Sequence, residues 1–241
     1  MRVLIVVPAY NEERALPDVL GELRAAVAQN KLDAEVAVID DGSSDGTAGA
    51  AQAQGVRVFR LRRNLGIGGA VQCGLRIALR EDFDGAIQID GDGQHPASEL
   101  SKLLQAAAAS PAPDLIVGTR YLTPDGFRST VMRRLGGWWL TKLLAIFGLR
   151  VSDPTSGFRF YGRRALTLFN QNYPYDYPEP ESLAMAEAAG LVIAEVPVMM
   201  RARQGGRSSI ARLEAPYYMV KVTLAVILAY LRNRRRPSGG G

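Results

Sequence analysis

Apolar residues in the first 120 positions fall into two alternating rhythms. Short, β-branched runs at 3–7, 35–39, 56–61, 86–89 and 115–117 predict strands, and segments 13–29, 47–54, 69–80 and 98–109 between them carry apolar residues at helical spacing. Strand–helix alternation with short connections predicts an α/β fold, with right-handed crossovers and a mostly parallel sheet flanked by helices. In such sheets ligands bind beyond the carboxyl ends of the strands.

The second half is less regular. Residues 133–149 form an amphipathic pattern carrying Trp138, Trp139, Leu143, Leu144, Ile146 and Phe147, and 192–198 reads as a late strand. Residues 153–159 read as a turn-rich loop, 173–181 as a loop rich in Pro and Tyr, and 201–212 as a basic, glycine-containing segment. A second amphipathic element at 216–231 runs into Arg232, Arg234, Arg235 and Arg236, before a glycine-rich tail at 237–241.

Composition narrows the classes. The chain has 241 residues, with 47% hydrophobic and 22% charged positions, an ordinary globular balance able to bury a large core. Cys73, on a helix face beside Val71 and Leu75, is the single cysteine and reads as core, so no internal disulfide framework exists. The formal net charge is +5, and the four tail arginines account for most of it. A short basic cluster beside an apolar helix suits a membrane surface better than nucleic acid. Residues 3–7 are too short for a leader's apolar core, and no run of 18 uncharged apolar residues predicts a spanning helix.

Polar, glycine-rich segments follow every early strand. They are Pro8-Ala9-Tyr10-Asn11-Glu12, Asp40-Asp41-Gly42-Ser43-Ser44-Asp45, Asn64-Leu65-Gly66-Ile67-Gly68-Gly69, Asp90-Gly91-Asp92-Gly93-Gln94-His95-Pro96 and Gly118-Thr119-Arg120. Asp90 and Asp92, at the end of a buried strand, cannot both stay charged without a cation or strong hydrogen bonds. Alone the triplet reads equally as a solvated acidic turn. After a strand in this series it points to Mg²⁺ or Mn²⁺ held by Asp90, Asp92 and neutral Gln94. Asp40 or Asp41 suits a ribose or base N–H, with Asp45 as a helix cap. The glycines near Gly69 fail the dinucleotide fingerprint, since Val71 stands where a glycine is needed, and read as a close-packed helix entry near phosphates. His95, directly before Pro96, reads as a structural element of its turn.

Together with Ser156-Gly157-Phe158-Arg159 and Gly206-Arg207-Ser208-Ser209, these segments occur in an order that resembles glycosyltransferase family 2, and within it the dolichyl- or polyprenyl-phosphate sugar synthases, over about residues 1–231. The resemblance implies a GT-A type, Rossmann-like domain over 1–212, with a nucleotide-binding half (1–120) and an acceptor half (121–212), followed by a membrane-surface helix at 213–236. It implies an inverting, metal-dependent transferase of a nucleotide-diphosphate sugar. By position, Pro8, Tyr10, Glu12, Val38, Asp40 and Asp41 resemble the nucleoside pocket, with Gly69 and Gly91 close to the donor. Asp90, Asp92 and Gln94 resemble the metal ligands, Arg120 faces the donor, and Arg201, Arg203, Arg207 and Ser208 close on phosphates. Asp153 and Arg159 lie where an acceptor phosphate arrives.

A polyprenyl phosphate is already an anionic nucleophile and needs no strong base. The loop holding Glu179 and Glu181 is richer in carboxylates than such an acceptor demands, which leaves a second reading: transfer to a hydroxyl of a glycan or lipid-linked saccharide with either residue as base. Glu181 reads equally as a first-turn residue of a helix after Pro180. Ser209 stands where the family pattern has lysine. A catalytically inert nucleotide-binding assembly module is the reading from another class, and the intact Asp90, Asp92 and Arg159 argue against it. The expected setting is peripheral, at the cytoplasmic face of a membrane or in the cytoplasm, with a small membrane protein or a second copy as partner and no nucleic acid.

Overall fold

The computed structural model describes residues 1–122, 131–201 and 215–234, with backbone alone at 131–134 and 215–216. Seven strands form one sheet: β1 (Val3–Ala9), β2 (Ala34–Asp40), β3 (Arg57–Arg60), β4 (Gly85–Gln88), β5 (Leu115–Thr119), β6 (Arg159–Gly162) and β7 (Ile193–Pro197), in the order β3-β2-β1-β4-β6-β5-β7. The pairs β1–β2, β1–β4, β2–β3 and β5–β7 are parallel, whereas β6 runs antiparallel to both β4 and β5. The five early strands fall where the β-branched runs predict them.

Among the described residues eight helices cover the sheet: α1 (Leu16–Gln29), α2 (Thr47–Ala53), α3 (Gly66–Arg80), α4 (Leu100–Ala107), α5 (Val131–Ile146), α6 (Arg163–Gln171), α7 (Pro178–Ala188) and α8 (Ala215–Asn233). A 3₁₀ turn at Ala97–Glu99 precedes α4. Strand side chains alternate between faces. Val3, Ile5 and Val7 pack with α1, α2 and α4 on one side, while Leu4 and Val6 pack with α3 and α5–α8 on the other. All seven residues of β1 are buried, as a central strand covered on both faces requires.

Two expectations change. Residues 153–159 do not stay a loop throughout: Arg159 opens β6, and α6 follows at once. Four residues, Arg159-Phe160-Tyr161-Gly162, give too short an alternation to read as a strand, and pairing on both sides stabilises it. The segment 173–181 likewise becomes helical from Pro178, whose ring suits the first turn. No helix among the described residues is long and apolar enough to cross a membrane.

Helix α3 lies against β1 closely enough that a Cβ on Gly74 would meet Val6 Cγ1 at 2.2 Å. Gly74→Ala is expected to cost about 1–3 kcal/mol through overpacking. Gly21→Ala, in open space on α1, is expected to gain about 0.5–1 kcal/mol. Denaturant midpoints of the two variants check both signs.

Candidate active site

Parallel pairing puts the carboxyl ends of β1, β2, β4, β5 and β7 on one edge, and the reversed β6 brings its beginning there. Arg159 pairs in register with Gln88 of β4 and Val117 of β5. The segments singled out after each strand therefore meet along one rim.

At the β1–β2 end, Asn11 takes a left-handed conformation (φ 55°) that Asn tolerates better than most residues. Its N–H donates to Ser43 Oγ at 3.0 Å, its Oδ1 accepts from Ser44 N, and Glu12 N donates to Thr47 Oγ1. Tyr10 is half-exposed beside this junction, while Pro8 and Val38 are buried in the strands beneath. Asp40 is fully buried: Oδ1 accepts from Ser43 N at 3.0 Å, whereas Oδ2 has no hydrogen-bond partner and lies 3.3 Å from Arg60 Nε. Asp41 is also buried, and its Oδ1 accepts from Leu65 N at 2.7 Å, fixing the entry to α3. Burial raises the Asp41 carboxyl and that hydrogen bond opposes the rise. Gly69 backs onto Leu65 with no room for a side chain, which is the close-packed helix entry expected.

At the β4 end, Asp90 N donates to His95 Nδ1 at 3.2 Å, which places the ring proton on Nε2. His95 is buried and stacked on Phe158 at 5.2 Å, so it supports the turn. The Asp90 side chain is 31% exposed, and it fits because Gly157 has no Cβ; one there would stand 3.0 and 3.1 Å from the two carboxylate oxygens. Gly91 backs onto Pro8. Asp92 is nearly buried, and its Oδ1 accepts from Gln94 N at 3.0 Å. Among the described residues no three His, Cys, Asp or Glu side chains converge as a metal-binding group. Two carboxylates with a neutral Gln94 still suit a hard cation that keeps water and substrate phosphates in its shell.

Asp153 and Arg120 form a bidentate ion pair on the rim. Arg120 Nε and Nη2 donate to the two Asp153 oxygens at 2.7 and 2.8 Å, and Arg120 N adds a third bond. Burial would lower the guanidinium's pKa, but Asp153 outweighs it and the net shift is upward. Glu195 on β7 accepts from Ser152 N, Ser152 Oγ and Asp153 N, holding that loop from beneath.

Asp153 and Arg159 are the residues expected where an acceptor phosphate arrives. Each is sealed from solvent. Asp153 is occupied by Arg120. The Arg159 guanidinium donates to Ser156 O (2.7 Å), Ser182 Oγ (2.7 Å) and Pro154 O (3.3 Å). Glu181, expected among the catalytic groups, accepts from Tyr177 N at 3.1 Å and so closes the start of α7. Burial raises its carboxyl against that bond. Glu179 is raised by burial and by the charge of Asp90, with Arg159 opposing. Arg201 anchors through its N–H to Gln94 O and pairs with Glu22 at 2.7 Å. Arg203, Arg207 and Ser208 lie outside the described residues.

Sequence reasoning passed over Arg60, Ser182 and Glu195. The place of Arg60 at the end of the third strand was a signal for it. Ser182 and Glu195 act through partners 23 and 43 residues distant, which no local pattern shows.

The model of the family described as "Glycosyl transferase family 2" matches residues 4–169. An undecaprenyl-phosphate mannosyltransferase of Micrococcus luteus is 31% identical over 222 residues, covering 88% of each chain. A polyprenol monophosphomannose synthase of Mycolicibacterium smegmatis is 29% identical over 235 residues, covering 92% of this chain and 85% of its own. Among solved structures, glucosyl-3-phosphoglycerate synthase of Mycobacterium tuberculosis, crystallised with Mn²⁺, UDP and glucosyl-3-phosphoglycerate, superposes with a TM-score of 0.71 at 23% identity, over 99% of this chain and 82% of its own. That likeness establishes the fold. The chain belongs to glycosyl transferase family 2 and is a glycosyltransferase built on a GT-A type fold.

Proposed function

We propose that this glycosyltransferase moves a sugar from a nucleotide-diphosphate sugar to a polyprenyl phosphate, with inversion, at the cytoplasmic surface of a membrane. The observation that carries the donor half is the convergence of Asp40, Asp90, Asp92 and Arg120 on one rim of the sheet. The acceptor half is supported by relatives named for undecaprenyl phosphate and polyprenol.

An acceptor phosphate oxygen attacks the anomeric carbon as the bond to the nucleoside diphosphate breaks, so negative charge builds on the leaving diphosphate. Asp90 and Asp92, with Gln94, would hold a divalent cation, which when bound neutralises that charge. Arg120, fixed by Asp153, offers its remaining donor surface to the same region. Arg159 acts as a positioning residue: it holds the 154–156 turn that backs Asp90, and the beginning of α7. Arg203, Arg207 and Ser208 remain proposed phosphate contacts from the sequence pattern.

The second reading, a hydroxyl acceptor, is favoured by one observation: burial pushes the Glu179 carboxyl up, with Arg159 opposing and Asp90 adding to the rise. Glu179 suits the part of base better than Glu181, which caps α7. If the acceptor is a hydroxyl, the rate rises with pH as Glu179 loses its proton, and Glu179→Gln removes that limb and about two decades of kcat. If the acceptor is a phosphate, Glu179→Gln keeps most of the turnover and the limb is absent.

The apolar faces of α5 and α8 support the membrane setting. Leu135, Trp138, Trp139 and Ile146 are exposed on α5, and Tyr217, Val220, Leu224, Leu228 and Leu231 on α8. The two helices are joined by Trp139 Nε1 donating to Thr223 Oγ1 at 3.0 Å and by Phe147 stacked on Tyr230. Lys142 and Lys221 lie over Trp138 and Tyr217, and exposed Arg232 and Arg234 follow. Apolar stripes flanked by cations match an anionic lipid surface.

Conversion of undecaprenyl phosphate to a lipid-linked monosaccharide, scanned over UDP-, GDP-, CDP- and dTDP-sugars with Mn²⁺ or Mg²⁺, tests the activity directly; no product with any donor overturns it. EDTA is expected to abolish turnover, with recovery on added Mn²⁺ or Mg²⁺. Asp92→Asn should lower metal-dependent nucleotide affinity at least about tenfold, with unchanged melting in the absence of ligand. Gly157→Ala should do the same by crowding Asp90. Ile146→Glu combined with Leu224→Glu should weaken sedimentation with anionic vesicles by about tenfold or more while leaving nucleotide binding intact.

A further inference from the structure

One buried acceptor on the rim is left without a hydrogen bond. Asp40 is fully buried and its Oδ1 is satisfied by Ser43 N, yet Oδ2 has no hydrogen-bond partner. Such an atom is costly unless something arrives to satisfy it. The nearest cation is Arg60, the register partner of Asp40 across β2 and β3. Its Nε stands 3.3 Å from Oδ2, close enough to neutralise the carboxylate but without the alignment of a hydrogen bond.

Arg60 is also fixed from a second side, since its Nη2 donates to Ser43 O at 3.0 Å. Ser43 in turn bonds Asp40 through its N–H and accepts the Asn11 N–H on its hydroxyl. Arg60, Ser43 and Asp40 thus form a closed ring at the end of β2, one residue from the half-exposed Tyr10. The Arg60 side chain is nevertheless 61% exposed. A surface arginine held in this way, over a buried orphan oxygen, is more than a solvated charge.

The geometry points to Arg60 as a nucleobase-reading residue: beside Asp40 Oδ2, which takes a base N–H, it donates to the neighbouring ring acceptor of the same base edge. This assignment rests on the donor reading above. Every nucleobase presents an N–H beside an acceptor on its pairing edge; a ribose hydroxyl also donates and accepts, whereas a phosphate, which offers only acceptors, does not match that pair. The forked, planar guanidinium suits the task where an ammonium does not.

Calorimetry on the full chain with Mn²⁺ separates the outcomes, with UDP, GDP, CDP and ADP and with ribose 5-phosphate and inorganic pyrophosphate as probes. Arg60→Ala is expected to weaken the preferred nucleotide by about ten- to a hundredfold and leave pyrophosphate affinity unchanged. Arg60→Lys, which keeps a cation beside Asp40 and guards against misfolding, should recover the melting temperature but less than half of the lost binding free energy. Equal losses for nucleotide and pyrophosphate would place Arg60 on the phosphates, and equal losses for nucleotide and ribose 5-phosphate would place it on the ribose; either overturns the assignment. Nucleotide affinity unchanged in both variants would make it a surface charge. If the unaltered protein binds pyrophosphate but none of the nucleotides, the donor reading falls, and this assignment with it.

Discussion

Arg159 is a cation sealed from water; its guanidinium donates to three neutral oxygens, and the Glu179 carboxyl lies close enough to feel its charge. Such a group is tolerated only where its neighbours are fixed firmly enough to keep those oxygens in place. Here they come from Pro154 and Ser156 on one loop and from Ser182 on α7, while the backbone of Arg159 pairs with both β4 and β5. The reversed strand, the loop before it and the first turn of α7 are therefore one unit. Gly157 sits inside that unit, and its missing side chain makes room for Asp90.

A second buried charge is managed differently. Arg120 has a full bidentate partner in Asp153, and Asp153 N is bonded by Glu195 from the neighbouring strand. This fixes a guanidinium at the rim before any ligand arrives, so little ordering remains to be done at binding. The two arginines differ in exposure: Arg159 is sealed within the rim, whereas the Arg120 side chain stays partly exposed beside Asp153.

The exposed apolar faces of α5 and α8 belong to the same half of the molecule as the beginning of α7, which packs on α8 through Tyr177 and Tyr218. Burial pushes the Tyr218 hydroxyl up to about 12. Through Ser182, bonded to Arg159, α7 joins those faces to the rim.

Local sequence was enough for the early strands and helices, because apolar periodicity and glycine-rich turns are written within ten or fifteen residues. It was also enough for the roll of rim residues after β1, β2, β4 and β5, since every parallel strand delivers its following loop to the same edge. It was not enough for β6, whose four residues become a strand only when β4 and β5 pair with them. Nor did it separate the rim side chains left exposed from those bound to partners within the protein. Asp153, Arg159 and Glu181 carry the right chemistry, but their partners, at Arg120, Ser182 and the backbone of Tyr177, decide whether that chemistry faces outward. Which side chains lie near the rim followed from the order of the chain; which of them are free to act was decided by long-range pairing and burial, and these exist only once the sheet has closed.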